Sequence, residues 1–251
     1  MHVEQWDGQR TGSIPQWART GGAAVALAVA GFVLTMVISV VAGFGLAAAG
    51  VTVTDPTAPP VFLTGTAAGS VAFAVVGGGY LAVMCDHLPI GAPDREDVGL
   101  IVGSSVVAIV LGLALTSAIQ FVTPEPVENV FGNAASGAPW VYLAMAALSV
   151  VLIAPAEELL FRGAIQGRIR AQYGAIAAIG GASVPFMLFH VPNYLASLPV
   201  AILGASAVGV ISVILGVVYE RSGTLWAPIA VHALYNVALF GLAYLSVTGM
   251  L

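Results

Sequence analysis

Seven stretches of the chain are apolar over about the 20 helical residues that cross a hydrocarbon core. They lie near residues 22–48, 61–84, 98–121, 139–160, 174–191, 199–219 and 224–248. Turn formers separate them: Asp55-Pro56 and Pro59-Pro60, Pro89 with Pro93-Asp94, Pro124 and Pro126 with Gly132, Gly174, Pro192-Asn193, and Ser222-Gly223. The alternation that barrel strands need is absent. Backbone groups in lipid must also be satisfied within their own segment, so the pattern predicts helices. The expected fold class is therefore all-α: a polytopic transmembrane helical bundle of about seven spans. Residues 1–19 form a polar N-terminal segment, and 20–251 a single transmembrane domain. The first apolar run, from Gly21 to about Ala49, is longer than the roughly 7–15 residues of a cleavable signal peptide and reads as a retained span.

Composition agrees. Of 251 residues, 59% are hydrophobic and 8% charged, against about 25% charged in a soluble domain. So few charges cannot cover a water-facing surface, which makes membrane lipid a partner. The net charge of −5, with no lysine and no basic patch, gives no basis for a nucleic-acid partner. A single cysteine, Cys85, excludes an intramolecular disulfide and a cysteine zinc cluster, and reads as inert.

With the N-terminus inside, the seven arginines (Arg10, Arg19, Arg95, Arg162, Arg168, Arg170 and Arg221) all fall on the inner side. The outer loops, near 49–60, 122–138 and 192–198, hold none. The positive-inside rule then gives an N-in, C-out protein of the cell membrane. Small residues four apart, Gly65 with Gly69 and Gly99 with Gly103, predict close helix packing within the chain.

An ionisable group within a span is costly and usually marks function. Glu157 and Glu158 lie in the fourth span. Glu158 precedes Arg162 by four residues, the favourable order for an ion pair. Glu157 has no charged residue at those spacings and points about 100° away, so it is the free carboxylate. The fifth span ends in Phe186-Met187-Leu188-Phe189-His190, and the seventh carries His232 and Asn236 one turn apart. Taken singly, each histidine can be a helix–helix hydrogen-bonding group, and Asn236 more often is one. Their depths make them a set. If spans four and five turn near Tyr173-Gly174, Glu157 and His190 each lie about 16 residues from the turn and share a level. His232 lies roughly 12 Å in from Thr224. The three elements are expected to meet in one cavity, open to the cytoplasmic side.

The ordered set Glu157-Glu158-x-x-x-Arg162, Phe186-x-x-x-His190 and His232-x-x-x-Asn236 resembles the CPBP (Abi) family. That family includes type II CAAX prenyl endopeptidases and bacteriocin-processing or self-immunity proteins. The resemblance covers roughly Trp140 to Asn236, within a core of about 140–245. It implies that Glu157 and His190 activate a water and that His232 and Asn236 stabilise the oxyanion. Glu158, Arg162 and Phe186 are supporting residues. The family is often described with eight transmembrane helices, and a short or re-entrant element around Tyr194–Ser197 would supply the eighth.

Amide hydrolysis needs a base for water, donors for the oxyanion and a proton for the leaving amine. An apolar cavity disfavours a charged carboxylate, so a neighbouring His or Arg is needed to keep Glu157 ionised. Zinc is the competing route, with Glu157, His190 and His232 as three ligands and a fourth position open. The sequence has no His-Glu-x-x-His motif, and a metal-independent mechanism is favoured. The expected substrate is a membrane-associated peptide, prenylated or a leader. The competing functions are a non-catalytic immunity or scaffold protein that binds peptide or lipid in the same cavity, and a proton-coupled transporter. The transporter reading is weakened by the lack of internal repeats.

Overall fold

The computed structural model describes residues 15–85, 90–91, 94–123 and 127–251. Arg10, Pro89, Pro93, Pro124, Pro126 and most of the polar N-terminal segment lie outside the described residues. The described chain is helical: α1 (Gln16–Ala48), α2 (Pro59–Met84), α3 (Arg95–Val122), α4 (Val130–Ala135), α5 (Trp140–Leu148), α6 (Ala154–Glu158), α7 (Gly167–His190), α8 (Leu198–Ser222) and α9 (Trp226–Val247). Two π-helical turns, Ser149–Ile153 and Leu159–Gln166, join α5, α6 and α7 into one run, and a 3-10 turn, Val191–Asn193, ends it.

Among the described residues, six helical runs are long and apolar enough to cross a membrane. The fourth, Trp140–Asn193, holds two of the seven expected spans. It reverses at Gly174, where φ 79° and ψ 176° suit glycine alone. Contacts across the hairpin confirm the reversal: the Phe161 and Phe186 rings are 4.9 Å apart, and Ile169 packs on Gly181. The return arm, 175–190, is about 24 Å long at 1.5 Å per residue, short of a full crossing. His190 therefore ends its helix inside the bundle.

Around Tyr194–Ser197, where a short or re-entrant element is expected, the chain is not helical and follows directly on the 3-10 turn Val191–Asn193. Tyr194 then pairs antiparallel with Asn129, and Leu195 N–H donates to Glu128 O at 2.9 Å. The loop expected at 122–138 contains the short α4, capped by Asn129, whose side-chain oxygen accepts from Gly132 N–H. The small-residue pairs divide. Gly69 packs against Thr35 of α1, whereas Gly65, Gly99 and Gly103 face nothing within 4 Å. Their spacing therefore does not mark a contact within the chain.

Pro155 explains the irregular fourth run. Proline removes a backbone donor and collides with the carbonyl one turn back, and wide π turns flank it on both sides. In the first, Ala154 N–H reaches Ser149 O, five residues back. The second turn is almost wholly buried. A Cβ on Gly77 would stand 2.6 Å from Leu160 N, so α2 touches this backbone directly. The core at the arginine-bearing end groups Leu81, Ala164 and Leu225. Next to it Phe73, Leu160, Phe161, Ile165 and Phe186 form a second cluster.

Candidate active site

Glu157 and Glu158 stand on α6 between the two π turns. The expected Glu158–Arg162 ion pair is present at 3.1 Å with both side chains fully buried. It is an ion pair outside hydrogen-bond alignment. Arg162 is fixed more tightly by α8, where its Nη2 donates to Ser212 O and Ser212 Oγ, both at 2.8 Å. Its guanidinium carbon lies 4.8 Å from the centroid of the Phe186 ring. One turn further on, Gln166 Nε2 donates to Gly216 O and to Glu220 Oε1, and Glu220 pairs with Arg170 at 2.7 Å. This ladder locks the catalytic-arm candidate against α8. The signal was a polar Ser212 inside an apolar span.

His232 enters from α9 and bridges the two carboxylates. Its Nδ1 lies 2.8 Å from Glu158 Oε1, and its Nε2 lies 3.8 Å from Glu157 Oε2. Adjacent glutamates therefore reach opposite ends of one imidazole. Glu158 holds the ring as well as Arg162, a role the sequence did not reveal. Glu157 is not isolated as its helical spacing suggested, yet Oε2 is buried and makes no hydrogen bond. Its side chain is 12% exposed, and it lines the central cavity.

His190 reaches that cavity from the end of the short return arm. Its Nδ1 lies 2.8 Å from Phe186 O, and a carbonyl can only accept, so Nδ1–H donates. In the neutral ring Nε2 is then an acceptor. Phe186 stacks on His190 with centroids 4.6 Å apart and meets His232 edge-on at 5.9 Å. Asn236 lines the same cavity. Thus Glu157, His190, His232 and Asn236 share one chamber, and Glu158 and Arg162 stand behind it.

That chamber is about 610 Å³. Its walls include Phe32, Phe62, Thr116, Asn129 and Tyr194, and it ends inward at Glu157, His232 and Leu215. Beyond this floor Leu160, Phe161, Arg162, Ala164, Ile165 and Gln166 are fully buried. The cavity therefore reaches the end of the bundle opposite the arginines, which corrects the expectation of an opening on their side. Depth along one helix cannot tell which end the neighbouring helices plug.

As a zinc set the residues do not converge. Among the described residues, no three His, Cys, Asp or Glu side chains are close enough to hold a metal ion. Both histidines place Nδ1 on an acceptor, Phe186 O and Glu158 Oε1, which by itself leaves either Nε2 able to accept.

No curated protein and no solved structure matches the chain. A family model does, that of the type II CAAX prenyl endopeptidase Rce1-like proteins, over residues 139–238. The matched stretch contains every side chain placed at the chamber floor. Over residues 139–238 the chain is thus similar to the Rce1-like proteins of the CAAX protease family.

Proposed function

We propose that this chain is an intramembrane endopeptidase that cleaves a membrane-associated peptide with a water activated by Glu157. The supporting observation is a carboxylate at the floor of a chamber, with one buried oxygen lacking a hydrogen bond 3.8 Å from His232 Nε2. An unsatisfied buried acceptor is costly, and a water entering the chamber would relieve it.

In this reading Glu157 takes a proton from the water as the water attacks the scissile carbonyl carbon. His190, with Nδ1–H on Phe186 O, presents Nε2 as a second acceptor and orients that water. As the tetrahedral intermediate forms, Asn236 and His232 donate to its oxygen. His232 does so when protonated, keeping Nδ1–H on Glu158 and aiming Nε2–H at the chamber. Two glutamates, Arg162 and a protonated His232 sum to zero charge, which suits a buried site. Protonated Glu157 then returns its proton to the leaving nitrogen and the C–N bond breaks.

No metal takes part in this route. Purified protein in liposomes, given prenylated and unprenylated peptides, tests it. Cleavage lost in Glu157→Gln but unchanged by a zinc chelator supports it. Chelator-sensitive cleavage restored by zinc would overturn the metal-free mechanism. Peptide binding retained without cleavage by the unaltered protein would favour a scaffold instead.

A further inference from the structure

Helix α9 turns a stripe of side chains to the chamber: His232, Tyr235, Asn236 and Leu239 all line it. At about 100° per residue, Tyr235 stands about 60° to one side of His232 and Asn236 about 40° to the other. Asn236 has a part in the reaction described above, and Tyr235 has none. Its ring is nevertheless closely seated. It packs with Ala108, Ile211, Leu215 and Val231, and its far edge lies against α3. A Cβ on Gly112 would come within 2.7 Å of both Cε2 and the hydroxyl oxygen of Tyr235. Glycine at 112 therefore leaves the space that the phenol fills.

A phenol hydroxyl can both donate and accept. Among the described residues that of Tyr235 has no hydrogen-bond partner, and its oxygen keeps access to the chamber. Several other polar side chains of the wall are committed. Thr35 and Ser70 donate to carbonyls of their own helices, Gly31 O and Thr66 O. Gln120 holds Val127 at both N–H and C=O, and Asn129 caps α4. Within one turn of His232 on α9, the polar side chains left free are Tyr235 and Asn236.

A peptide drawn into an apolar chamber gives up water at every backbone group, and each group left unpaired is costly. The scissile carbonyl finds donors in His232 and Asn236. Peptide groups follow one another about every 3.3–3.6 Å along an extended chain, so a group adjoining the scissile bond falls beside the neighbour of Asn236. We propose that Tyr235 is a substrate-binding residue whose hydroxyl donates to a backbone carbonyl adjoining the scissile bond, with Gly112 keeping the seat that its ring needs. This rests on the protease reading above and adds to it a group that recognises the peptide main chain, whatever side chain the adjoining residue carries.

Tyr235→Phe removes the hydroxyl and keeps the ring. With the best-cleaved peptide of the liposome panel, it is expected to raise KM about tenfold and hold kcat within about twofold, the scale of one neutral hydrogen bond. Unchanged KM would overturn the proposal, and so would a fall in kcat alone, which would put the hydroxyl in the chemical step. Esters substituted in turn for the amides flanking the scissile bond weaken each carbonyl as an acceptor. At one position the ester should raise KM in the native protein but add nothing in Tyr235→Phe; additive losses at every position count against the contact. Gly112→Ala displaces the ring tip and should raise KM as Tyr235→Phe does, without adding to it. A rise that persists undiminished in Tyr235→Phe would show packing rather than a hydrogen bond. Anisotropy of the labelled peptide on Glu157→Gln, with and without Tyr235→Phe, measures Kd apart from cleavage. Tighter binding with the hydroxyl, but no cleavage by the native protein, would refute the protease reading and uphold the peptide contact. Equal Kd with and without the hydroxyl overturns the contact, and no binding of any panel peptide refutes both.

Discussion

The Nδ1 of His232 lies 2.8 Å from Oε1 of Glu158, across 74 residues of chain. This contact joins the ion pair behind the chamber to the ring that faces it. Glu158 therefore orients both Arg162 and His232, while Glu157, its neighbour, meets the chamber. Adjacent identical residues are thus expected to fail differently when altered.

Glu158→Ala leaves Arg162 buried without its carboxylate and His232 without its anchor. Removing one partner of a buried pair costs about 3–5 kcal/mol. Denaturant titration in detergent is expected to show a loss of that order, together with loss of cleavage.

Glu157→Gln keeps the shape and removes the base. Its stability is expected to stay within about 1 kcal/mol of the parent, since a near-isosteric change at a chamber wall opens no cavity. Its cleavage rate should fall by about 10²–10⁴, the usual worth of general acid–base catalysis. Parallel titration and liposome assays separate this variant from Glu158→Ala; equal destabilisation of the two would contradict the division of roles.

His190→Asn retains a donor near the position of Nδ1 and can keep the bond to Phe186 O, but it has no counterpart of Nε2. The fold should persist, with a drop in kcat of about 10² if Nε2 accepts from the water. Unchanged kcat would restrict His190 to packing on Phe186.

Gly77→Val tests the contact between α2 and the second π turn. A Cβ there meets backbone atoms of Leu159 and Leu160 at 2.6–2.7 Å, and backbone cannot rotate aside. Overpacking of this kind costs about 1–3 kcal/mol. Because the turn follows Glu158, reduced cleavage should accompany the lower thermal midpoint.

Much of the architecture was legible in the chain because the bilayer acts on each segment separately. Hydropathy and length place the spans whatever surrounds them, and the reversal at Gly174 could be anticipated from one glycine between two apolar runs. Ile169 packing on Gly181 bears that out. The Glu158–Arg162 pair was equally local, a matter of spacing on one helix. The return arm, the 3-10 turn and α4 were less visible, because Asn129, Tyr194 and Leu195 take their positions from one another across 65 residues or more.

The sequence by itself therefore determined that the protein is helical and membrane-spanning, that its arginines gather at one end, and that its polar groups share a depth. Each of these depends on residue type and distance along a helix. Tertiary structure alone decided that His232 bridges Glu157 to Glu158, that Ser212 holds Arg162, and that the chamber opens away from the arginines. Those outcomes depend on which side chains of different helices fill the same space. Leu160 to Gln166 plug one end, while Gly65 and Gly69, lacking side chains, leave room toward the other.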